Sequence, residues 1–476
     1  MPDPVADAAD TISNRLDTGF LNPVTNGDIK DAVKAITDLP AADANRLVDQ
    51  LEQNGQLDQI ADEVNDGSWF GNGGLSADER NAFFADMAGK LDGQNLAAIS
   101  ESFSRTDDGG GEFGAVTDLA GQVATHASPQ TRVDYIAAMK PGVDDSSYAD
   151  TGFGHSTTHM TDAQASAVGN VLGSLRGSHA EAGFEAIGDR LPDVLSSAVD
   201  GTLNTTTMGM GAATTATWNA EGYGKIMDAA ATMGDADLKA RVFDAGVGTL
   251  REVRDTNTII GGLTVIGKDD ALGTMTDGLT AIVNSDTTGV MTELTYNRET
   301  SDGSSFAAYA KEMFNQGNEA DLGQQMARLQ LGNSENGDPI QRLNETITVP
   351  GTDQERRPNA GALGYFVGST YAATASITTD VADQRAMATS VLDSALAIVD
   401  KAARSNPVAG AVASVAKEWT HYAINEAISD PTADAATQLE NAALPVNSQT
   451  GELGVGDDVS SAFNDTLASV QRRARP

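Results

Sequence analysis

The sequence predicts an all-α fold: stacked helical hairpins in an irregular array, followed by a C-terminal helical bundle rich in small residues. Three observations predict it. Apolar residues recur at three- and four-residue spacing along most of the chain. Capping residues and Gly or Pro breaks separate these runs at irregular intervals, without the fixed period of a named repeat. Sustained apolar/polar alternation, the mark of half-buried strands, is nearly absent.

The elements follow in order. Pro40 suits the first turn of a helix carrying Leu47, Val48 and Leu51. Asn54-Gly55 breaks it, and Leu57, Ile60 and Val64 resume. Ser76 is an N-cap with Glu79 at the capping-box position, ahead of Phe83, Phe84, Met87 and Leu91. Leu96, Ile99 and Phe103 continue after Asp92-Gly93, and 106–111 reads as a loop. Ser128-Pro129 opens a helix with Val133, Ile136 and Met139, and Thr161 opens one with Val168, Val171, Leu172 and Leu175. Phe184, Ile187, Leu191, Val194 and Leu195 make another. Asp235 precedes Leu238, Val242, Phe243, Val247 and Leu250. Later stripes are Leu272, Met275, Leu279 and Ile282; Phe306, Tyr309, Met313 and Phe314; and Leu322, Met326 and Leu329.

Segment 256–267, with Ile259, Ile260 and Val265 around Gly261-Gly262, reads equally as a short strand pair or an interhelical loop. Segment 201–217, rich in Thr, Gly and Met, reads as a loop or domain boundary, and polar 332–359 as a second boundary. The expected organisation is an N-terminal helical array over 1–200, a middle helical region over 218–331, an apolar bundle over 360–443, and a linker and tail over 444–476, with a last short helix over 459–474.

Segment 362–428 is the most apolar part of the chain. Gly364 and Gly368 form a close-packing GxxxG, and Val391, Leu392, Val412 and Trp419 lie on the helices that follow. These six are the candidate helix-packing or assembly residues. The uncharged run 358–379 is long enough to span a bilayer, but its Ser, Thr, Asn and Gly content fits a buried helix of a soluble bundle better. The alternative is a latent hairpin over 362–428 that inserts into membranes.

Composition bounds the chemistry. The chain has 476 residues, 40% of them hydrophobic, which is ample for a core. It has 68 acidic residues against 30 basic ones, a formal net charge of −38. Phosphate binding needs clustered Lys and Arg, and this charge argues against it, so no nucleic-acid partner is expected, and anionic membrane surfaces are disfavoured. Zero cysteines exclude disulfides, zinc–cysteine sites, thiol catalysis and cysteine-ligated iron–sulfur clusters. With 48 Asp, 20 Glu, 20 Arg and only 10 Lys, the surface is strongly hydrated and self-repelling. Residues 1–15 show neither a basic n-region nor an apolar h-region. The expectation is secretion without a cleaved Sec signal peptide, or else residence in the cytoplasm.

Few constellations carry chemistry. His155 and His159 lie four apart, but Ser156 stands where an HExxH helix needs Glu, and Gly152 and Gly154 argue against a helix there. Asp107, Asp108 and Glu112 offer oxygen ligands for calcium without the alternating EF-hand pattern. These five are the metal candidates, and calcium is the one cofactor left open. His126, His179 and His421 stand alone. No GxSxG elbow or phosphate-cradling glycine loop is present, and no catalytic residue is assigned.

Two blocks carry a resemblance. One is Leu75 to Phe84 with Leu91-Asp92-Gly93-Gln94-Asn95-Leu96 and His126-Ala127-Ser128-Pro129. The other is Leu363-Gly364-Tyr365-Phe366-Val367-Gly368 with Asn406-Pro407-Val408-Ala409-Gly410. Together they resemble alanine-rich helical proteins of Gram-negative bacteria related to secreted effectors and polymorphic toxins. No catalytic motif comes with the resemblance. It implies a secreted or injected effector-type protein that acts by binding a protein partner. A self-assembling extracellular protein and a membrane-active pore former are the alternatives.

Overall fold

A computed structural model describes residues 3–16, 24–65, 75–106, 114–139, 162–199, 202–208, 211–256, 259–260, 263–296, 304–332, 339–348, 355–405, 444 and 457–473. Helices dominate them, and the fold is all-α in class. The chain forms two compact units, residues 1–234 with 256–274, and residues 235–255 with 275–476. The middle region 218–331 thus contributes to both.

The first unit holds α1 (Pro4–Leu16), α2 (Asn26–Thr37), α3 (Ala41–Gln53), α4 (Gln56–Asn65), α5 (Ala77–Lys90), α6 (Gly93–Thr106), α7 (Gly114–His126), α8 (Pro129–Ala138), α9 (Asp162–Gly173), α10 (Ser178–Ile187), α11 (Leu191–Ser197) and α12 (Glu221–Ala231). Their packing alternates. α4, α6, α8 and α10 each touch the next member of that series, and α5, α7, α9 and α12 do the same. This is a two-row stack of helical hairpins. The fully buried Leu47, Leu96, Leu119, Ile136, Val168 and Phe184 line its interior.

Local sequence explains the helix starts. Thr25 caps α2 and Ser76 caps α5, each in a complete capping box with Asp28 or Glu79. Ser128 accepts from the Thr131 N–H at 3.1 Å, with Pro129 beginning α8. Helix ends are served by a scarcer resource, arginine. The Arg190 guanidinium donates to the carbonyls of Ala186 (2.7 Å), Ile187 (3.1 Å), Ile136 (3.3 Å) and Met139. It thereby satisfies orphan carbonyls at the ends of α8 and α10 at once. Arg132 likewise donates to the Ala127 carbonyl at 3.0 Å and to Ser174 Oγ at 3.3 Å.

Segment 201–217, expected as a loop or domain boundary, contains a β-hairpin of β1 (Thr202–Met208) and β2 (Gly211–Thr217), paired antiparallel from Thr202 against Thr217 to Met208 against Gly211. The segment's threonines are stiff at χ1 and favour extended backbone. Because they repeat at consecutive positions, they leave no alternation to read. Segment 256–267 takes the strand-pair alternative, with β3 (Ile259–Ile260) against β4 (Leu263–Ile266). β2 and β4 pair in parallel, giving one four-stranded sheet of order β1-β2-β4-β3.

The second unit holds α13 (Ala236–Asp255), the C-terminal half of α14 (Lys268–Ser285), α15 (Thr287–Tyr296), α16 (Ser305–Asn315), α17 (Glu319–Leu331), α18 (Pro339–Asn344), α19 (Pro358–Ile377), α20 (Val381–Ser405) and α21 (Asp457–Arg473). Segment 332–359 carries α18 and a two-residue ladder of β5 (Ile347–Thr348) with β6 (Glu355–Arg356) before α19 starts. α19 is the hub, touched by α15, α16, α17, α18, α20 and α21. Every residue from Pro358 to Phe366 is buried, so this part of the helix is covered around its circumference, as expected of a helix apolar on all sides. Phe366 stacks obliquely on Phe306, which meets Phe243 and Tyr309 in turn.

Candidate functional site

The small residues of α19 set how near its neighbours come. A Cβ on Gly364 would overlap the Phe463 carbonyl oxygen of α21, and one on Gly361 would overlap the Tyr296 hydroxyl of α15. Thr466 Oγ1 donates to the Gly361 carbonyl at 2.9 Å, so α21 is both packed and hydrogen-bonded onto α19. An ion pair from Arg357 to Asp458, 3.3 Å, sits near the start of both helices. Gly368 is buried in the same helix. Ser304 caps α16 and meets the Tyr365 hydroxyl at 2.9 Å and Ser369 Oγ at 2.7 Å, tying α16 to α19 through polar atoms. Burial pushes the Tyr365 phenol above its ordinary pKa.

α20 is anchored on one side and open on the other. A Cβ on Gly323 of α17 would overlap Ser394 Cβ and come within 2.7 Å of the Val391 carbonyl oxygen. Val391, Ala395 and Ala388 face inward, whereas Leu392 is half-buried. Along the outer side runs an open groove of about 610 Å³. Two rows of residues, each with four-residue spacing, line it: Ala382, Ala386 and Ser390 form a ridge of small side chains that ends at Ser394, where α17 packs, and Arg385, Thr389 and Asp393 lie beside it. The Nε of Arg385 has no hydrogen-bond partner among the described residues. The groove offers a guanidinium, a carboxylate and three hydroxyls on a close-approach surface. That set suits hydrogen-bonded recognition of another chain.

A cavity of about 20 Å³ in the first unit is walled by Val33, Ile36, Leu57, Ile60, Phe84 and Phe103. It holds little more than one water-sized probe, too little for a substrate. Among the described residues no cluster of three His, Asp or Glu could hold a metal, and no helix is long and apolar enough to cross a membrane. Asp107, Asp108, Glu112, His155, His159, Val412 and Trp419 lie outside the described residues.

Sequence reasoning named Gly364 and Val391 but not Gly361, Gly323, Tyr296, Ser304 or Arg385. Gly361 lies one turn before Gly364 and extends its small-residue row, a signal present in the sequence. Gly323 is an isolated helical glycine whose packing reason emerges only from its neighbour on α20. No protein-family model matches this chain, and no curated protein matches it.

Proposed function

We propose that this chain is a binding protein of the secreted-effector type, acting through its helical surface on a protein partner and without catalysis. The observation that carries the reading is the α20 groove, with its exposed ridge of Ala382, Ala386 and Ser390 flanked by Arg385. Small side chains repeating every four residues let a second helix approach closely, with its own ridge seated in the groove. Arg385 lines the same groove, where its guanidinium is a charged group suited to a carboxylate on the incoming helix. The acidic composition supports the same reading, since a net charge of −38 keeps a released protein soluble and selects against nonspecific contacts with other acidic surfaces.

The test places a photo-crosslinking residue at Ser390, and at exposed Glu52 of α3 as the control, in the cells that make the protein. A discrete adduct at 390 that is absent at 52, and that vanishes in Ala386→Trp, is the expected outcome. No adduct at 390, or the same adducts at both sites, overturns the binding reading. Culture supernatant is assayed in parallel, and strict retention inside protease-treated intact cells overturns the secreted part.

A further inference from the structure

The four-stranded sheet of the first unit stands apart from the rest of the chain in charge. Residues 201–220 contain no Asp, Glu, Lys, Arg or His, and neither do residues 256–267. Every strand of that sheet falls in one of these two runs, so the sheet carries no ionisable charge in a chain of net charge −38. Its edges are unequal. β3 is two residues long, whereas β1 runs seven residues from Thr202 to Met208. β1 pairs with β2 on one side, and among the described residues no strand or other backbone pairs with its second side. In an antiparallel ladder, every second residue of an edge strand turns its N–H and C=O away from its neighbour. Proteins ordinarily blunt such an edge with Lys, Pro, a bulge or shortness. β1 reads Thr-Leu-Asn-Thr-Thr-Thr-Met and uses none of these devices.

We infer that the outer edge of β1 is a self-association site, occupied by β1 of a second copy in antiparallel register centred on Thr205. Charge selects this occupant. Two copies of a chain at −38 repel each other wherever their acidic surfaces meet, and that repulsion is least where both faces are neutral. The strand is also compatible with itself about a two-fold axis. Thr205 pairs with Thr205, Asn204 with Thr206, Leu203 with Thr207 and Thr202 with Met208, and no like charge faces another. The pairing joins two four-stranded sheets into one of eight strands. Ile266 of β4, 48% exposed, adds an apolar side chain at the sheet. A seven-residue edge is a small interface beside the ~1,600 Å² of a standard one, so the dimer forms at high protein concentration and dissociates on dilution. The inference is independent of the α20 groove.

The absence of native cysteine makes the test direct. Full-length Thr205→Cys and Thr202→Cys are compared under mild oxidation, alongside light scattering of the unmodified chain from about 5 to 200 μM. A disulfide needs Cα atoms about 4.4–6.8 Å apart. Position 205 meets itself across the axis, whereas 202 meets 208. The expected result is a monomer–dimer equilibrium together with disulfide dimer formation at least tenfold faster at 205 than at 202. Thr205→Lys and Thr205→Asp each abolish the dimer, and mixing the two restores a heterodimer, which a merely misfolded variant could not do. A monomer across the whole concentration range, or equal cross-linking at 205 and 202, overturns the proposal.

Discussion

Gly364 of α19 lies against the carbonyl of Phe463 in α21 so closely that no side chain fits between them. The nearest obstructing atom is the backbone oxygen of Phe463, which cannot rotate away. Gly364→Ala therefore forces the two helices apart, and overpacking of this kind costs about 1–3 kcal/mol. Gly248 of α13 provides the opposite sign within the same unit. Nothing lies within 4 Å of a Cβ built there, so Gly248→Ala gains about 0.5–1 kcal/mol of helix propensity. Urea denaturation of both variants checks the pair, and equal shifts in one direction would contradict this account.

Glu79 should make the first unit acid-sensitive. A hydrogen bond from Lys30, followed by bonds from the Ser76 backbone and hydroxyl, holds its carboxyl down to about 2 from an ordinary 4.5. The unfolded chain binds the proton first as pH falls. The stabilisation is thus complete above about pH 4.5 and is lost as pH drops toward 2. Glu79→Gln lacks it throughout. The midpoint difference between wild type and this variant, present at pH 6, should narrow between pH 4.5 and 2; a gap constant across that range would refute the assignment.

Two buried tyrosines should respond differently to losing their hydroxyls. Tyr309 Oη meets Thr280 Oγ1 at 2.8 Å and accepts from Gln325 Nε2 at 2.9 Å. Tyr309→Phe leaves Gln325 short of a partner in the core and should cost about 1–3 kcal/mol. Tyr223 Oη is equally buried and has no partner among the described residues. Tyr223→Phe removes an unsatisfied polar atom and should be neutral or stabilising. Thermal melts of the two variants decide it.

Arg190 serves the ends of two helices with one planar fork, and its half-buried position lowers its pKa by desolvation. A lysine keeps the charge but cannot reproduce the fork. Arg190→Lys should therefore destabilise by about 1–3 kcal/mol, the cost of stranding carbonyls at both helix ends. Arg46, 58% exposed and paired with Asp3 and Asp43, is the control. Arg46→Lys should shift stability by less than about 0.5 kcal/mol. An Arg190→Lys loss as small as that of Arg46→Lys would show that charge alone matters.

What the sequence made legible was local. Ser76 with Glu79, Ser128 with Pro129, Asp235 ahead of Leu238, and the break at Asn54-Gly55 all signal over three or four residues, and each marks a helix boundary. The apolar stripes likewise fixed which faces are buried. The hairpin over 202–217 was missed because consecutive threonines carry strand propensity without periodicity. Long-range partners were beyond reach for a different reason. Gly361 meets Tyr296, and Ser304 meets Tyr365, across more than sixty positions, and no pattern in a single chain encodes which helices will become neighbours. The α20 groove shares that limit, since its open side depends on α17 taking the other.

The seat of Phe463 against Gly364 also has a temporal side. The two residues are 99 positions apart. At roughly 5–20 residues per second of synthesis, α19 leaves the ribosome about 5–20 seconds before α21 follows. For that interval α19, the most apolar helix among the described residues, lacks the neighbour that covers Gly364. A nascent chain stalled in this window is the form that chaperones would be expected to hold, and the arrival of α21 is the event that releases it.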